Sequence, residues 1–215
     1  MDCLAVTLLN RGDMFAFSEG FPHEDFFMQQ ARSNGIEVGV EDPSPAVGGL
    51  LKFLVSLVRA KSVVEIGTGS GVSGLWIFQG LAPDGVLTSI DTERENSGNA
   101  RKVFEDSGIS PQRFRLITGN IITVVGKLAD KNYDIMIVRP ADDLFDVVQE
   151  SYRLLGDHGL LVIDQALSGG KVADPTQRDY ESISRRDAIR ALKEDTRWSS
   201  TLLPVGAGVL IAAKL

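Results

Sequence analysis

The stretch Ser62-Val63-Val64-Glu65-Ile66-Gly67-Thr68-Gly69-Ser70-Gly71-Val72-Ser73 decides the fold. A β-branched run leads into three alternating glycines and then an apolar helical stretch over 72–81, which reads as a buried strand, a tight turn and a helix. Glycine suits the turn because the backbone bends sharply there and a ligand can approach without a Cβ in its way. The helix N-terminus behind it favours negative charge.

Working outward, the same alternation repeats. VLTSI (86–90) precedes a helical stretch over 94–107, RFRLI (113–117) one over 120–129, and YDIMIV (133–138) one over 143–155; LLVID (160–164) then leads to a polar helix over 177–195. Strands alternating with helices imply a parallel sheet covered on both faces. The end of the chain departs from this rhythm. STLLPV (200–205) and GVLIAAKL (208–215) are separated by Gly206 and Ala207 and predict an antiparallel hairpin that closes the sheet. Upstream, Val47, Leu50, Leu51, Leu54, Leu57 and Val58 form one helical stripe after Ser44-Pro45, and a shorter helix is expected between Pro22 and Gly35. The expectation is an α/β, Rossmann-like single domain over 1–215, with residues 1–43 as a helical N-terminal arm.

Composition narrows the function. The chain has 215 residues, 43% hydrophobic and 24% charged, with 22 Lys and Arg against 29 Asp and Glu, a formal charge of −7. A surface of that sign repels nucleic-acid backbones and anionic lipid, so neither is an expected partner. Cys3 is the single cysteine, and with only His23 and His158 beside it a Cys/His zinc site is excluded. The N-terminus fails as a signal peptide and no apolar run is long enough to span a bilayer, which places the protein in the cytoplasm as an expectation.

Two cofactors fit the glycine turn. Gly69, Gly71 and Gly74 satisfy the G-x-G-x-x-G spacing of dinucleotide-binding folds, with Asp91 after the next strand to hold ribose hydroxyls. Two residues point elsewhere. Glu65, two positions before Gly67, would repel a pyrophosphate and suits an ammonium group, while Ser73 at the helix start offers a hydroxyl to a carboxylate. A ligand with ribose, adenine and a zwitterionic amino acid but no phosphate meets both conditions, and S-adenosyl-L-methionine is such a ligand. A nicotinamide-dependent oxidoreductase is the alternative, disfavoured by Glu65 and by the terminal hairpin.

Strand, E-I-G-T-G-S-G-V-S, helix and then S-I-D at the end of the second strand resemble the class I S-adenosylmethionine-dependent methyltransferases, and within them the catechol O-methyltransferase-like group. The resemblance runs from about Ser44 to Leu215. It implies that Gly67, Thr68 and Gly69 line the methionine and ribose portion beside Glu65, that Ser73 holds the methionine carboxylate and Asp91 the ribose, and that Gly119-Asn120 sits at the adenine, where the family more often has Gly-Asp. It also implies a homodimer.

The same resemblance implies a divalent cation bound by an Asp after the fourth strand and an Asp-Asn pair after the fifth, with a Lys as base. Here those positions carry Arg139, Asp164, Gln165 and, for the Lys, Asp142. An Asp replaced by Arg turns the local charge from negative to positive, so no metal is expected. Arg139 is instead expected to pair with Asp164, to stabilise an acceptor oxyanion, and to leave Asp142 or Asp164 to take the proton. The expected reaction is methyl transfer to a small-molecule hydroxyl, with a catalytically silent cofactor-binding protein as the alternative. Asp142-Asp143-Leu144-Phe145-Asp146 reads as a helix start rather than a magnesium motif, and Arg185-Arg186 as part of a solvated helix face.

Overall fold

The computed structural model describes residues 12–139 and 144–215. A helical segment over 12–19 is followed by helices α1 (Phe26–Glu37) and α2 (Pro45–Leu57). Then come β1 (Ser62–Ile66), α3 (Val72–Gly80), β2 (Val86–Asp91), α4 (Arg94–Asp106), β3 (Phe114–Thr118), α5 (Ile121–Val125) and β4 (Tyr133–Val138). The chain continues through α6 (Leu144–Leu154), β5 (Leu155–Ile163), α7 (Tyr180–Glu194), β6 (Trp198–Leu203) and β7 (Val209–Lys214). The expected α/β architecture is present. Seven strands form one sheet in the order β3-β2-β1-β4-β5-β7-β6, parallel except for β7, which runs antiparallel to both β5 and β6.

Side chains alternate across each strand, so each strand feeds two cores. Val63, Ile135, Ile137 and Val162 pack with Leu51, Trp76 and Phe104 from α2, α3 and α4. Val64, Ile66, Met136 and Leu161 face the opposite way and pack with Val147 and Leu154 of α6 and Leu192 of α7. Phe104 is fully buried, with its ring edge-to-face against Phe78 at 5.2 Å and Phe114 at 5.3 Å. Gly74 belongs to this contact, because a Cβ there would lie 2.4 Å from Phe104 Cζ. The third glycine of the motif therefore serves helix packing.

Two expectations are corrected. The helix expected between Pro22 and Gly35 starts at Phe26 and passes Gly35, because the Asp25 carboxylate accepts from the Met28 N–H at 3.0 Å and supplies the cap that Pro22 lacks. His23 accordingly precedes the helix. Arg185 and Arg186 do not form a solvated face. Arg185 is 3% exposed and donates to the Gln165 carbonyl, while Arg186 donates to the carbonyls of Lys171, Val172, Asp174 and Gln177. The segment after β5 has no sheet partner for these carbonyls, and the two guanidinium groups supply the missing donors.

Phe104→Ala would leave a void between α3, α4 and the sheet. The expected loss is about 3–5 kcal/mol, read as a lower urea midpoint at unchanged slope.

Candidate functional site

The strand order reverses between β1 and β4, so the chain leaves the two neighbouring strands in opposite directions and opens a crevice at their carboxyl ends. The residue after each strand stays tied to its neighbour. The Gly67 N–H donates to Ile90 O at 2.8 Å, Arg139 to Ile66 O at 2.9 Å, and Asp164 to Val138 O at 2.9 Å. These bonds line up Gly67, Arg139 and Asp164 along one edge. A cleft of about 350 Å³ lies beside them, bordered by Gly67, Gly69, Asp91, Asn96, Ile121 and Arg139.

The turn needs its glycines. Gly67, Gly69 and Gly71 have φ of +88°, +55° and +95°, and a Cβ on Gly69 would lie 2.7 Å from Arg139 Nη1. Asp91 closes the turn from the side: its carboxylate accepts from the Gly69 N–H at 3.0 Å, the Glu93 N–H at 2.8 Å and Asn96 Nδ2 at 3.2 Å. Thr68 and Ser73 are fully buried, so neither side chain borders the cleft. Ser89 donates to Glu65 Oε2 at 2.6 Å, and Thr68 contacts Ser89 at 2.7 Å. With Ser89's one proton directed to the carboxylate, Thr68 is the donor in that second contact. Glu65 Oε1 and Ser73 Oγ have no hydrogen-bond partner. Asn120 caps α5 by accepting from the Thr123 N–H at 3.0 Å; Gly119 precedes it, and Ile121 is the residue there that borders the cleft.

The expected Arg139–Asp164 pair is corrected. Arg139 is 4% exposed and its Nη1 lies 3.6 Å from Asp42, while its Nη2 donates to the Glu41 carbonyl. Asp164 instead accepts from the Gln165 N–H at 2.7 Å through one oxygen and leaves Oδ2 without a partner. A strap over 40–43 prevails because it brings both a carboxylate and a carbonyl to the guanidinium. The strap is itself held: Ser70 Oγ donates to Asp42 at 2.6 Å, Arg32 to Pro43 O at 2.7 Å, and Gln165 Nε2 to Glu41 at 3.3 Å. Sequence reasoning missed Asp42. Its partner is Arg139, on another strand end far along the chain, and Glu41-Asp42 before Pro43 reads as an ordinary connection. Asp142 lies outside the described residues.

Three buried carboxylates surround this one guanidinium. Burial pushes the carboxyls of Asp42, Glu65 and Asp164 above the ordinary range, opposed by hydroxyls at Asp42 and Glu65, by Arg139 at all three, and by the Gln165 N–H and Arg185 at Asp164. Ser73 lies near enough to Glu65 to contribute without meeting hydrogen-bond geometry.

A carboxyl raised in the folded state binds more protons than in the unfolded chain, so stability falls as pH climbs from the ordinary value toward the raised one. The exposed acids Asp84, Asp174 and Asp179 are held low and act in the opposite sense, at and below about pH 4. The unfolding temperature of the ligand-free protein should therefore fall as pH rises above the ordinary carboxyl range of about 4, and Glu65→Gln should flatten the slope. Scanning calorimetry reads this, and a flat wild-type profile contradicts it.

Known proteins share this sequence and this fold. The family model described as O-methyltransferase matches residues 24–215. A Mycobacterium marinum protein whose name places it among the O-methyltransferases is 44% identical over 201 residues, covering 93% of this chain and 89% of the relative. A Corynebacterium glutamicum protein of known structure aligns with a TM-score of 0.88 at 29% identity, covering 95% of this chain and 97% of that one. The O-methyltransferase TomG of Streptomyces achromogenes, solved with S-adenosylmethionine, aligns with a TM-score of 0.82 at 25% identity, covering 93% and 94%. With nearly the whole chain matched in sequence and in fold, this protein belongs to the O-methyltransferase family.

Proposed function

We propose that the chain is a single methyltransferase domain that binds S-adenosyl-L-methionine in the cleft and methylates a hydroxyl of a small molecule without a metal ion. The charge of the cleft carries this reading. Among the described residues, Glu41, Asp91, Glu93 and Glu181 border it against the single cation Arg139. A pyrophosphate would meet four carboxylates there, whereas a ligand bearing a sulfonium and an ammonium is attracted. In this reading Asp91 accepts from the ribose hydroxyls, the Gly67-Thr68-Gly69 turn lies along the methionine and ribose, and Gly119-Asn120 flanks the adenine. Glu65 and Ser73, fully buried and off the cleft lining, act on the amino-acid end through charge and dipole rather than by direct contact.

The donor set does not suit a hard divalent cation. Arg139 brings a guanidinium, Gln165 an amide whose Nε2 already donates to Glu41, and Asp164 alone brings a carboxylate. Among the described residues no group of three His, Cys, Asp or Glu side chains is placed to hold a metal. The cofactor supplies a methyl group already activated on sulfur, so the protein's tasks are alignment and deprotonation. Arg139 stabilises the acceptor oxyanion, and Asp164, made more basic by burial, takes the hydroxyl proton; Asp142 is the other acid proposed for that step. One observation favours a second reading, a silent cofactor-binding protein: Arg139 is buried and engaged by Glu41 and Asp42. The exposed Phe21 and Phe53, which flank an apolar groove beside α2, support a homodimer. Among the described residues no helix is long and apolar enough to cross a membrane; a cytoplasmic location without lipid or nucleic-acid partners is proposed from the acidic net charge of −7.

Calorimetry with S-adenosylhomocysteine in chelator is the direct test. Micromolar binding is expected, and its absence would remove the cofactor assignment. Asp91→Ala should weaken that binding about tenfold to a hundredfold, since it deletes charge-assisted bonds worth about 1.5–3 kcal/mol. Arg139→Asp should produce a magnesium response that the wild type lacks; no response would show that the metal positions are misplaced. Methylation of a phenol in chelator separates the enzyme from the silent protein.

A further inference from the structure

Asp42 precedes every strand of the sheet, yet its side chain is 2% exposed and stands between the glycine turn and Arg139. Its Oδ2 accepts from Ser70 Oγ at 2.6 Å, and its Oδ1 lies 3.6 Å from Arg139 Nη1. Helix α1 leaves room for this contact: a Cβ on Gly35 would lie 2.5 Å from Asp42 Oδ2 and 3.0 Å from Ser70 Cβ. Glycine inside a helix loses more backbone entropy than other residues, and here the packing of Asp42 on Ser70 accounts for it. Among the described residues Asp42 is the only carboxylate within ion-pair distance of Arg139. The other acids near the turn are engaged elsewhere: Glu65 by Ser89, Asp91 by Gly69, Glu93 and Asn96, and Asp164 by the Gln165 N–H. Arg32, the second cation that acts on Asp42, is paired with Glu24 and donates to the Pro43 carbonyl at 2.7 Å.

Arg139 itself runs along the turn. A Cβ on Gly67 would lie 3.0 Å from Arg139 Cβ, and one on Gly69 would lie 2.7 Å from Arg139 Nη1. The guanidinium therefore borders the cleft beside the segment read above as lying along the methionine and ribose. A fixed positive charge there repels a sulfonium, and around a side chain 5% exposed water screens that repulsion weakly. S-adenosylhomocysteine carries a neutral thioether in place of the sulfonium and escapes the repulsion. Asp42 supplies the counter-charge. Together with the Glu41 carbonyl, which accepts from Nη2, it turns the guanidinium toward the strap.

We propose that Asp42 is a positioning residue: it holds and neutralises Arg139 so that the cleft admits the methylated, cationic form of the cofactor. Ser70 fixes the carboxylate for that task. This rests on the methyltransferase reading above and goes beyond it by assigning to the strap the discrimination between S-adenosylmethionine and its demethylated product.

The test titrates the full chain, without acceptor, with S-adenosylmethionine and with S-adenosylhomocysteine in a calorimeter. Asp42→Asn should weaken S-adenosylmethionine about tenfold more than S-adenosylhomocysteine, a difference of about 1.4 kcal/mol between the two ligands. Adding Arg139→Gln to Asp42→Asn should return the ratio of the two affinities to within about twofold of wild type, because the charge that needed holding is gone. Ser70→Ala frees Asp42 without altering any charge, and it carries the test if Asp42→Asn fails to fold; the ratio should move the same way by about threefold. An unchanged ratio, with both ligands kept or lost in parallel, would overturn the proposal and leave Asp42 as a structural tie of the strap. A shifted ratio that persists after Arg139 is replaced would also overturn it, since Asp42 would then act on the sulfonium directly. Failure of the wild type to bind S-adenosylhomocysteine would remove the cofactor reading, and this one with it.

Discussion

The reversal of strand order between β1 and β4 is the constraint on which the site rests. Two parallel neighbours whose chains leave in opposite directions cannot cover the gap between their carboxyl ends, so a crevice stays open there. Hydrogen bonds from the first residue past β1, β4 and β5 extend the sheet by one position and set Gly67, Arg139 and Asp164 side by side. The glycines beyond β1 then let the chain turn without filling the space, and Gly69 in particular yields room to the Arg139 guanidinium. Sheet geometry positions the chemistry, and the loops adapt to it.

Electrostatics at that edge are poised rather than satisfied. Two unit charges about 4 Å apart attract by about 4 kcal/mol at an effective dielectric of about 20, and desolvation opposes much of that gain. Arg139, joined by Arg32 near Asp42 and by Arg185 near Asp164, does not offset the loss of hydration on burial, and all three carboxyls stay raised. A folded protein retains such unsatisfied groups where they contribute to binding or catalysis. In an ordinary core the same volume would be filled with apolar side chains.

Two features outside the strands hold this arrangement. The strap over 40–43 carries Asp42 and the Glu41 carbonyl to Arg139 and is anchored by Arg32, Ser70 and Gln165. On the other side, Arg185 and Arg186 of α7 gather the carbonyls of the segment after β5, and Arg185 fixes the backbone at Gln165. Gln165 has φ of +53°, a left-handed conformation that costs a side-chain-bearing residue energy unless its surroundings enforce it. The Arg185 bond to its carbonyl and the Gln165 side-chain contact with the strap supply that enforcement.

Much of the fold was legible because it depends on local pattern. SVVEI and YDIMIV became β1 and β4 residue for residue, Ser44 capped α2, and the two runs around Gly206 paired as an antiparallel hairpin. β-branched runs, caps and glycine turns act over a few residues, so their signal lies in adjacent positions. The same holds for the glycine turn and for Asp91, which the G-T-G-S-G spacing and the S-I-D strand end marked in advance. Partnerships across the chain were not legible. Arg139 was expected to meet Asp164, on the neighbouring strand, and met Asp42 instead; Arg185 and Arg186 looked solvated and proved to be donors to a loop. Charge attracts any opposite charge within reach, and reach is set by how the strap and the segment after β5 fold over the sheet. Pattern along the chain determines which elements form, while packing between them determines which ions meet.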